Sequence, residues 1–216
     1  LTPSILGFGM MRLQKREDGS IDEQWAIKTL RNAIDNGLTY VDTAYVYPDS
    51  ERVTGLCLAD GYREKVTLAT KLPVSMMKCE EDFDRILNEE LERLQTDHID
   101  LYLMHALSDD RWECVEKFKV IEKMERAKAE GKIRYLGFSF HDSYEAFEEI
   151  INYRDWDFCQ IQLNYMDVND QAGMKGYKLA EEKQVPLVIM EPIKGGMLAN
   201  YGGDIAEIFH ALDKDA

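Results

Sequence analysis

Three predicted strands of this 216-residue chain each end on a polar side chain of a different kind. Asp42 ends the run LTYVD, Lys71 ends VTLATK and His105 ends IDLYLMH. Tyr47 follows Asp42 in the next loop. In a parallel barrel the loops after the strands open on one face, so residues far apart in sequence meet there. A carboxylate, an ammonium, an imidazole and a phenol brought to that face predict an enzyme active site.

Each of these residues also has an ordinary structural explanation. Asp42 can cap the following turn, Lys71 can be exposed, and His105 can satisfy a backbone carbonyl. The three strand ends belong to consecutive strands, however, and such a joint occurrence is much less expected by chance. The sequence therefore favours the functional interpretation.

The elements that position these residues alternate along the chain. Short apolar runs rich in β-branched residues are separated by segments of helical period, which indicates parallel strands buried on both faces. The predicted strands are residues 39–41, 66–70, 99–104, 135–138, 158–163 and 187–190.

The predicted helices are bounded by recognisable capping signals. Capping boxes at residues 20–23 and 142–145 predict two helix starts, and the first helix is expected to turn Trp25 inward and to stop at Gly37. Apolar residues at helical spacing between 112 and 127 predict one helix, closed by Gly131.

Strict alternation of strands and helices predicts an α/β fold, either a barrel or a doubly wound sheet. No GxGxxG motif follows the first strand, and polar residues end many strands instead of one switch point. Both observations favour the barrel. Residues 5–13 are expected to form a small hairpin on the barrel floor.

The strand count falls short of a closed barrel, which has eight strands and typically ~250 residues. The sequence predicts only six, and a short helix at 205–211 follows where a seventh should begin. We therefore expect residues 1–216 to form one (β/α)8 TIM-barrel domain with about six of its eight strands present, as part of a longer protein.

Composition excludes several classes of function. A net charge of −15 argues against a nucleic-acid surface, and no apolar run approaches the roughly 20 residues of a membrane span. The four cysteines form no CxxC pair, so neither a zinc site nor a disulfide framework is expected. A reducing cytoplasm is the expected location.

Several motifs together resemble the signatures of the aldo-keto reductase family. They are residues 7–12 (GFGMMR), 42–47 (DTAYVY), 50–51 (SE), 69–71 (ATK), 103–105 (LMH), 131–139 (GKIRYLGFS) and Gln160. They run through the whole chain in the family's order. The resemblance implies a (β/α)8 barrel that binds NADP(H) without a Rossmann domain, and a small-molecule aldehyde, ketone or alcohol as substrate.

The resemblance implies a catalytic tetrad of Asp42, Tyr47, Lys71 and His105. Reduction of a carbonyl by hydride requires a proton donor, and Tyr47 takes this role. Lys71 is expected to lower the pKa of the phenol, and Asp42 to hold Lys71 in place. His105 is expected to orient the substrate carbonyl.

Cofactor contacts carry over less completely. Ser139 and Gln160 match the residues that hold the nicotinamide carboxamide, and Asn164 lines the same strand end. The loop that wraps the pyrophosphate is similar to the segment containing Glu191, Ile193, Gly195 and Gly196, with Lys194 either a phosphate contact or a solvated loop residue.

Two departures from the family pattern bear on the cofactor. Met190 stands where an aromatic residue often stacks on the nicotinamide, and Phe140-His141 replaces the usual Asn after Ser139. The segment that grips the 2′-phosphate would follow residue 216. NADP(H) is therefore expected with NAD(H) as the alternative, and this chain alone is expected to bind it poorly.

The chain also resembles a prokaryotic branch of predicted oxidoreductases. The resemblance is carried by Phe140-His141-Asp142 after Ser139, by Pro48 where Gly commonly follows the catalytic Tyr, and by residues 158–167 (FCQIQLNYMD). Members of that branch often carry a C-terminal ferredoxin-like extension with a [4Fe–4S] cluster, which would lie outside these residues.

Two other functions stay open at this stage. Lys71 at a strand end is also the arrangement of a Schiff-base aldolase, although the Asp42–Tyr47 spacing has no role there. The second is a barrel that binds nucleotide without catalysis, as a sensor or partner module. The sequence does not determine the oligomeric state.

Overall fold

A computed structural model describes residues 2–199 and 202–212, and its centre is a seven-stranded sheet in chain order. Every neighbouring pair of strands is parallel. The strands are β1 (Phe8–Gly9), β2 (Tyr40–Asp42), β3 (Thr67–Leu72), β4 (Ile99–Leu107), β5 (Ile133–Phe140), β6 (Phe158–Gln162) and β7 (Leu187–Met190). No pairing between β1 and β7 occurs within the described ranges. The architecture is an incomplete α/β barrel, as predicted.

Helices connect consecutive strands and cover the outer face of the sheet, the arrangement that parallel connections require. They are α1 (Glu23–Asp35), α2 (Ser50–Leu58), α3 (Asp82–Leu94), α4 (Asp109–Lys117), α5 (Val120–Ala129), α6 (Tyr144–Asn152), α7 (Gly173–Glu182) and α8 (Gly203–Leu212). None of the helices in the described part of the chain is long and apolar enough to cross a membrane.

The predicted hairpin at residues 5–13 is wrong, because this segment supplies the first parallel strand. Phe8 pairs with Val41 and Gly9 with Asp42. A strand of two residues is too short to show the alternation from which strands are recognised. The sheet therefore has seven strands where the sequence predicted six.

The N-terminal boundaries of two helices also differ from prediction by one or two residues. The carboxylate of Asp22, not Ser20, caps α1 by accepting a hydrogen bond from the Trp25 amide at 3.1 Å. Ser143, not Asp142, caps α6. Trp25 lies on the outer side of α1 and is 36% exposed, so its predicted inward position is wrong.

The single helix predicted over residues 112–127 is divided into α4 and α5. The break falls at Lys119, whose φ of 51° lies in the left-handed region. Val115 on α4 and Met124 on α5 are both buried. The apolar period therefore continues across the break, which is why the sequence pattern hides it.

The sheet separates two apolar cores. The larger core lies between the sheet and the helices. A small inner core lies on the concave face and contains Tyr40, Ala69, Leu101, Leu103 and Phe158. Because successive side chains of a strand point to opposite faces, these residues define which strand positions face inward.

Candidate active site

Four of the predicted site residues stand above the inner core. Asp42, Lys71, His105 and Gln160 each follow an inner-core residue by two positions, on β2, β3, β4 and β6. A spacing of two places each of them on the same face as that residue. The strand ends therefore form a polar layer over an apolar floor.

Lys71 is the buried centre of this layer. Its Nζ donates to Asp42 Oδ1 at 2.5 Å and to the backbone oxygen of Thr43 at 2.8 Å, and its side chain is only 2% exposed. A buried ammonium is costly unless it is paired and hydrogen-bonded. These two acceptors pair the Lys71 ammonium and fix its position beneath the mouth of the barrel.

Tyr47 lies beside Lys71 and His105. The Lys71 Nζ is 5.4 Å from the centroid of the Tyr47 ring, and the rings of Tyr47 and His105 meet edge to face at 5.7 Å. The loop between β2 and α2 brings the phenol back over the end of its own strand. The structure thus brings all four residues of the predicted tetrad together.

The pKa of Tyr47 is raised, against the sequence prediction. Burial raises the pKa of Tyr47 most, the Lys71 ammonium lowers it, and the Asp42 carboxylate raises it again. Lys71 acts in the predicted direction, but burial outweighs it. Tyr47 is therefore a protonated phenol at neutral pH, the form that can donate a proton.

His105 is neutral in this environment. Burial lowers the pKa of His105 to about 3, with further lowering by the charges of Lys71, His141 and Arg111. A neutral imidazole carries one N–H donor and one acceptor nitrogen. His105 can therefore donate a hydrogen bond to a carbonyl oxygen without carrying a positive charge.

Gln160, one of the residues predicted to hold the carboxamide, has a buried hydrogen-bond acceptor without a partner among the described residues. Its Nε2 donates to Asp42 Oδ2 at 3.1 Å, while its Oε1 is buried and has no partner among the described residues. Ser139 is also buried, and its Oγ accepts from the Ala106 amide at 2.7 Å. A buried acceptor without a partner is costly, and it suits the N–H donors of an amide ligand.

Asn164 is placed differently from its prediction. Its Nδ2 donates to Asp167 Oδ2 at 2.9 Å, and its Oδ1 accepts from the amides of Met166 and Asp167. These bonds organise the loop after β6. Asn164 is 6% exposed, and both polar atoms of its side-chain amide form hydrogen bonds within that loop.

The loop after β7 carries the remaining predicted cofactor residues. Glu191 and Gly195 have φ angles of 55° and 65°, and Gly196 has a φ of 99° with open space around its Cα. Ile193 is half exposed. A loop with two glycines in the left-handed region presents bare backbone, which is the surface that a phosphate group can approach closely.

Two cationic side chains lie at this loop, Lys194 within it and Arg12 against it. Lys194 Nζ lies 2.9 Å from Asp167 Oδ1. The Arg12 guanidinium, from the segment after β1, lies where a side chain at Gly195 would have to go. Lys194, the phosphate contact considered from the sequence, is therefore already paired with the carboxylate of Asp167.

Two further residues at the site, Tyr40 and Arg111, were not predicted from the sequence. Tyr40 stands inside an apolar strand run, although its position two residues before Asp42 was the available signal. Its hydroxyl donates to Asp42 Oδ2 at 3.1 Å. Arg111 on α4 donates to the backbone oxygen of Ala106 beside His105, and no sequence motif indicated it.

Residues 2–199 and 202–212 contain no group of three or more His, Cys, Asp or Glu side chains placed to hold a metal ion.

The chain belongs to the aldo/keto reductase family, since the sequence model of that family matches residues 5–213. The family predicted from the sequence motifs is thereby confirmed.

Two curated relatives extend this finding. The chain is 31% identical to the uncharacterized oxidoreductase YrpG of Bacillus subtilis (strain 168), over 82% of the chain and 60% of YrpG. It is also 31% identical to the methylglyoxal reductase YeaE of Escherichia coli (strain K12), over 90% of the chain and 68% of YeaE. The chain thus spans about three fifths of the length of YrpG.

A solved structure supports the same fold. An aldo-keto reductase from Klebsiella pneumoniae in complex with NADPH superimposes with a TM-score of 0.73 at 27% identity. The alignment covers 95% of this chain and 71% of that one.

Proposed function

We propose that this protein is an NADP(H)-dependent oxidoreductase that reduces an aldehyde or ketone to an alcohol, or runs the reverse reaction. The observation that carries the proposal is the buried Lys71–Asp42 pair with Tyr47 and His105 beside it. Family membership, the NADPH bound to the Klebsiella pneumoniae relative and the reductase activity named for YeaE support it.

Each tetrad residue has a role that follows from its surroundings. The neutral His105 donates a hydrogen bond to the carbonyl oxygen and orients it. Negative charge develops on that oxygen during reduction, and the protonated Tyr47 is placed to neutralise it with its phenolic proton. Bound NADPH supplies the hydride.

Lys71 makes this proton transfer favourable. Once Tyr47 has given up its proton it is a phenolate, and the adjacent ammonium stabilises that charge. Asp42 pairs with the ammonium and holds it in position. In the oxidation direction the same pair favours the phenolate, which then accepts the proton of the alcohol.

The residues present fit the nicotinamide cofactor. The unpartnered Oε1 of Gln160 is an acceptor for the carboxamide, with Ser139 at the neighbouring strand end and Asn164 in the loop beyond. The open backbone at Gly195 and Gly196 would receive the pyrophosphate. Glu191 and Ile193 lie in that same loop, completing the proposed set. NADP(H) is preferred to NAD(H) on the basis of the NADPH-bound relative.

The Schiff-base alternative fits this geometry poorly. A lysine nucleophile must lose its proton before it attacks a carbonyl. The Nζ of Lys71 donates to a carboxylate and to a backbone oxygen, so it acts as a hydrogen-bond donor toward both partners and not as a nucleophile. Tyr47 and Asp42 would also have no task in that reaction.

The test is NADPH oxidation, followed at 340 nm, against a panel of aldehydes and quinones that includes methylglyoxal. Tyr47→Phe is expected to lower kcat/KM at least a hundredfold, because it removes the proton donor. Tyr45→Phe is the matched control, since Tyr45 bonds Glu89 instead of a tetrad residue.

Other outcomes point elsewhere. Full activity in Tyr47→Phe would refute the role of Tyr47 as acid. NADPH binding without turnover in any variant would favour the non-catalytic barrel. Covalent trapping of a carbonyl compound on Lys71 by borohydride would favour the aldolase.

The cytoplasmic location and the iron–sulfur cluster of a C-terminal extension stay predictions, and the proposed reaction needs neither.

A further inference from the structure

Tyr40 is a second tyrosine at the site, one layer below the tetrad. It is the first residue of β2 and belongs to the inner core, where its side chain is buried. Its hydroxyl donates to Asp42 Oδ2 at 3.1 Å. A buried phenol requires a partner for its O–H, and the carboxylate of Asp42 is that partner.

Asp42 is held by three donors that divide between its two oxygens. Lys71 bonds Oδ1 at 2.5 Å, whereas Tyr40 and Gln160 each bond Oδ2 at 3.1 Å. The two neutral donors fix the rotation of the carboxylate and carry part of its charge. The oxygen that faces Lys71 is thereby fixed in place.

The position of the Tyr40 ring is itself fixed from the floor of the barrel. Gly7 packs against the ring so closely that a Cβ at this position would overlap the Tyr40 ring. Only a residue without a side chain leaves room for the ring there. Gly7 therefore allows Tyr40 to stand where its hydroxyl reaches Asp42.

We propose that Tyr40 is a positioning residue that orients Asp42 toward Lys71 and so sets the acidity of Tyr47. The proposal rests on the proposed function. Tyr40 bonds Asp42, and Asp42 acts on Tyr47 both directly through its charge and through Lys71.

The charges around this chain of contacts give the expected sign. Burial, followed by the charge of Asp42, holds the pKa of Tyr40 well above its ordinary value, so Tyr40 remains a donor. The charges that act on Tyr47 are those of Lys71, Asp42 and Glu191. Those that act on His105 are Lys71, His141 and Arg111.

Removing the Tyr40 hydroxyl leaves more negative charge on Asp42. That charge opposes ionisation of Tyr47 directly, and it also offsets more of the favourable field of Lys71. The pKa of Tyr47 should therefore rise, which makes Tyr47 a weaker acid in reduction.

The experiment measures kcat, KM and the pH profile of kcat/KM for NADPH-dependent reduction between about pH 7 and about pH 11.5, because the pKa of Tyr47 lies above its ordinary value of about 10. Tyr40→Phe is expected to lower kcat about fivefold with little change in KM for the carbonyl substrate. The alkaline limb of the profile should move upward by about half a pH unit.

Tyr102→Phe is the matched control. Tyr102 is fully buried and donates to the side-chain carboxyl group of Glu90, at Oε2 and 2.6 Å, but it lies outside the tetrad. Both variants should lose thermal stability to a similar extent, and only Tyr40→Phe should move the profile. An unchanged profile in Tyr40→Phe, or an equal shift in Tyr102→Phe, would overturn the proposal.

Gly7→Ala provides a second variant that leaves the hydroxyl in the protein. The added methyl displaces the ring, so this variant should shift the profile in the same direction as Tyr40→Phe. A normal profile in Gly7→Ala together with a reduced melting temperature would count against the proposal. Absence of turnover in the unmodified protein would instead refute the proposed function.

Discussion

At the scale of single residues, burial decides which protonation states the site presents. The same desolvation raises the pKa of Tyr47 and lowers that of His105, because each group is pushed toward its neutral form. A neutral donor and a protonated acid beside one fixed ammonium are suited to carbonyl reduction. The buried Lys71 is held by its two hydrogen-bond acceptors.

The first prediction concerns His105 and stability at acidic pH. In the unfolded chain its pKa is about 6.5, whereas in the folded chain it is about 3. Between these values the unfolded state binds the additional proton, so the free energy of unfolding decreases as pH falls. His105→Gln should abolish about 1–2 kcal/mol of the loss that the unmodified protein shows between pH 7 and pH 5.

Urea unfolding at the two pH values measures this difference. Tyr47→Phe removes no group that titrates in the window, so its pH dependence should parallel that of the unmodified protein. An equal loss in His105→Gln and in the unmodified protein would show that His105 is protonated when folded.

The types of the site residues were predictable, but their electrostatics were not. Asp42, Lys71 and His105 were found because each ends an apolar strand run. The direction of the pKa shift of Tyr47 depends on how deeply the phenol is buried, and local sequence patterns do not show this. Tyr40 was missed because a tyrosine in a strand looks like an ordinary apolar residue.

At the scale of the elements, helix α3 carries a buried acid on its inner side. Glu90 is fully buried, with Oε2 accepting from Tyr102 and Oε1 without a partner among the described residues. Burial, followed by the charge of Glu51 on α2, holds the pKa of Glu90 well above its ordinary value. Both effects favour the protonated form of Glu90 in the folded protein.

The second prediction follows from the sign of that shift. As pH rises above about 4.5, the unfolded chain loses this proton before the folded chain does. The free energy of unfolding should then fall by up to about 1.4 kcal/mol per pH unit. Glu90→Gln mimics the protonated acid, so it should remove this loss between pH 5 and pH 8.

Chemical denaturation at several pH values tests the prediction, with Glu89→Gln as the control. Glu89 is the neighbouring residue on α3, but its carboxylate bonds Tyr45 and Arg85 at the surface. Glu89→Gln should bring no gain at pH 8. A steeper decline in Glu90→Gln than in the unmodified protein would contradict the assignment.

Elements with a long periodic signal were predicted well, and short or interrupted ones were not. All six strands expected from the apolar runs are present. Strand β1 was not predicted because a strand of two residues is too short to show a periodic pattern. The break between α4 and α5 was not predicted because Lys119, whose φ is left-handed, is an ordinary helix former.

At the scale of the whole molecule, charge works against binding of a dinucleotide. The net charge of −15 opposes the approach of a phosphorylated ligand. At the loop after β7, the cation Lys194 is engaged by Asp167. The pairing of Lys194 with Asp167 is therefore one physical reason to expect that this chain binds NADPH weakly.

The last prediction is that Asp167→Asn tightens NADPH binding, by about threefold at low salt. The change frees the ammonium of Lys194 for a phosphate group and removes one negative charge from the loop. An asparagine still offers Asn164 an acceptor in place of Asp167 Oδ2, so the loop after β6 should keep its shape. NADPH fluorescence titrations measure the dissociation constant.

Asp170→Asn separates the local effect from the change in net charge. Asp170 lies in the same loop and accepts from Gln162 Nε2 at 3.4 Å, without a bond to Lys194. It changes the net charge by the same amount as Asp167→Asn, so similar gains in both variants would mean that only the overall field matters. A gain confined to Asp167→Asn, and reduced at 0.5 M salt where charges are screened beyond about 4 Å, would place a phosphate group at Lys194. Unchanged or weaker binding in Asp167→Asn would exclude Lys194 from the cofactor site and leave Arg12 as the cation that lies against this loop.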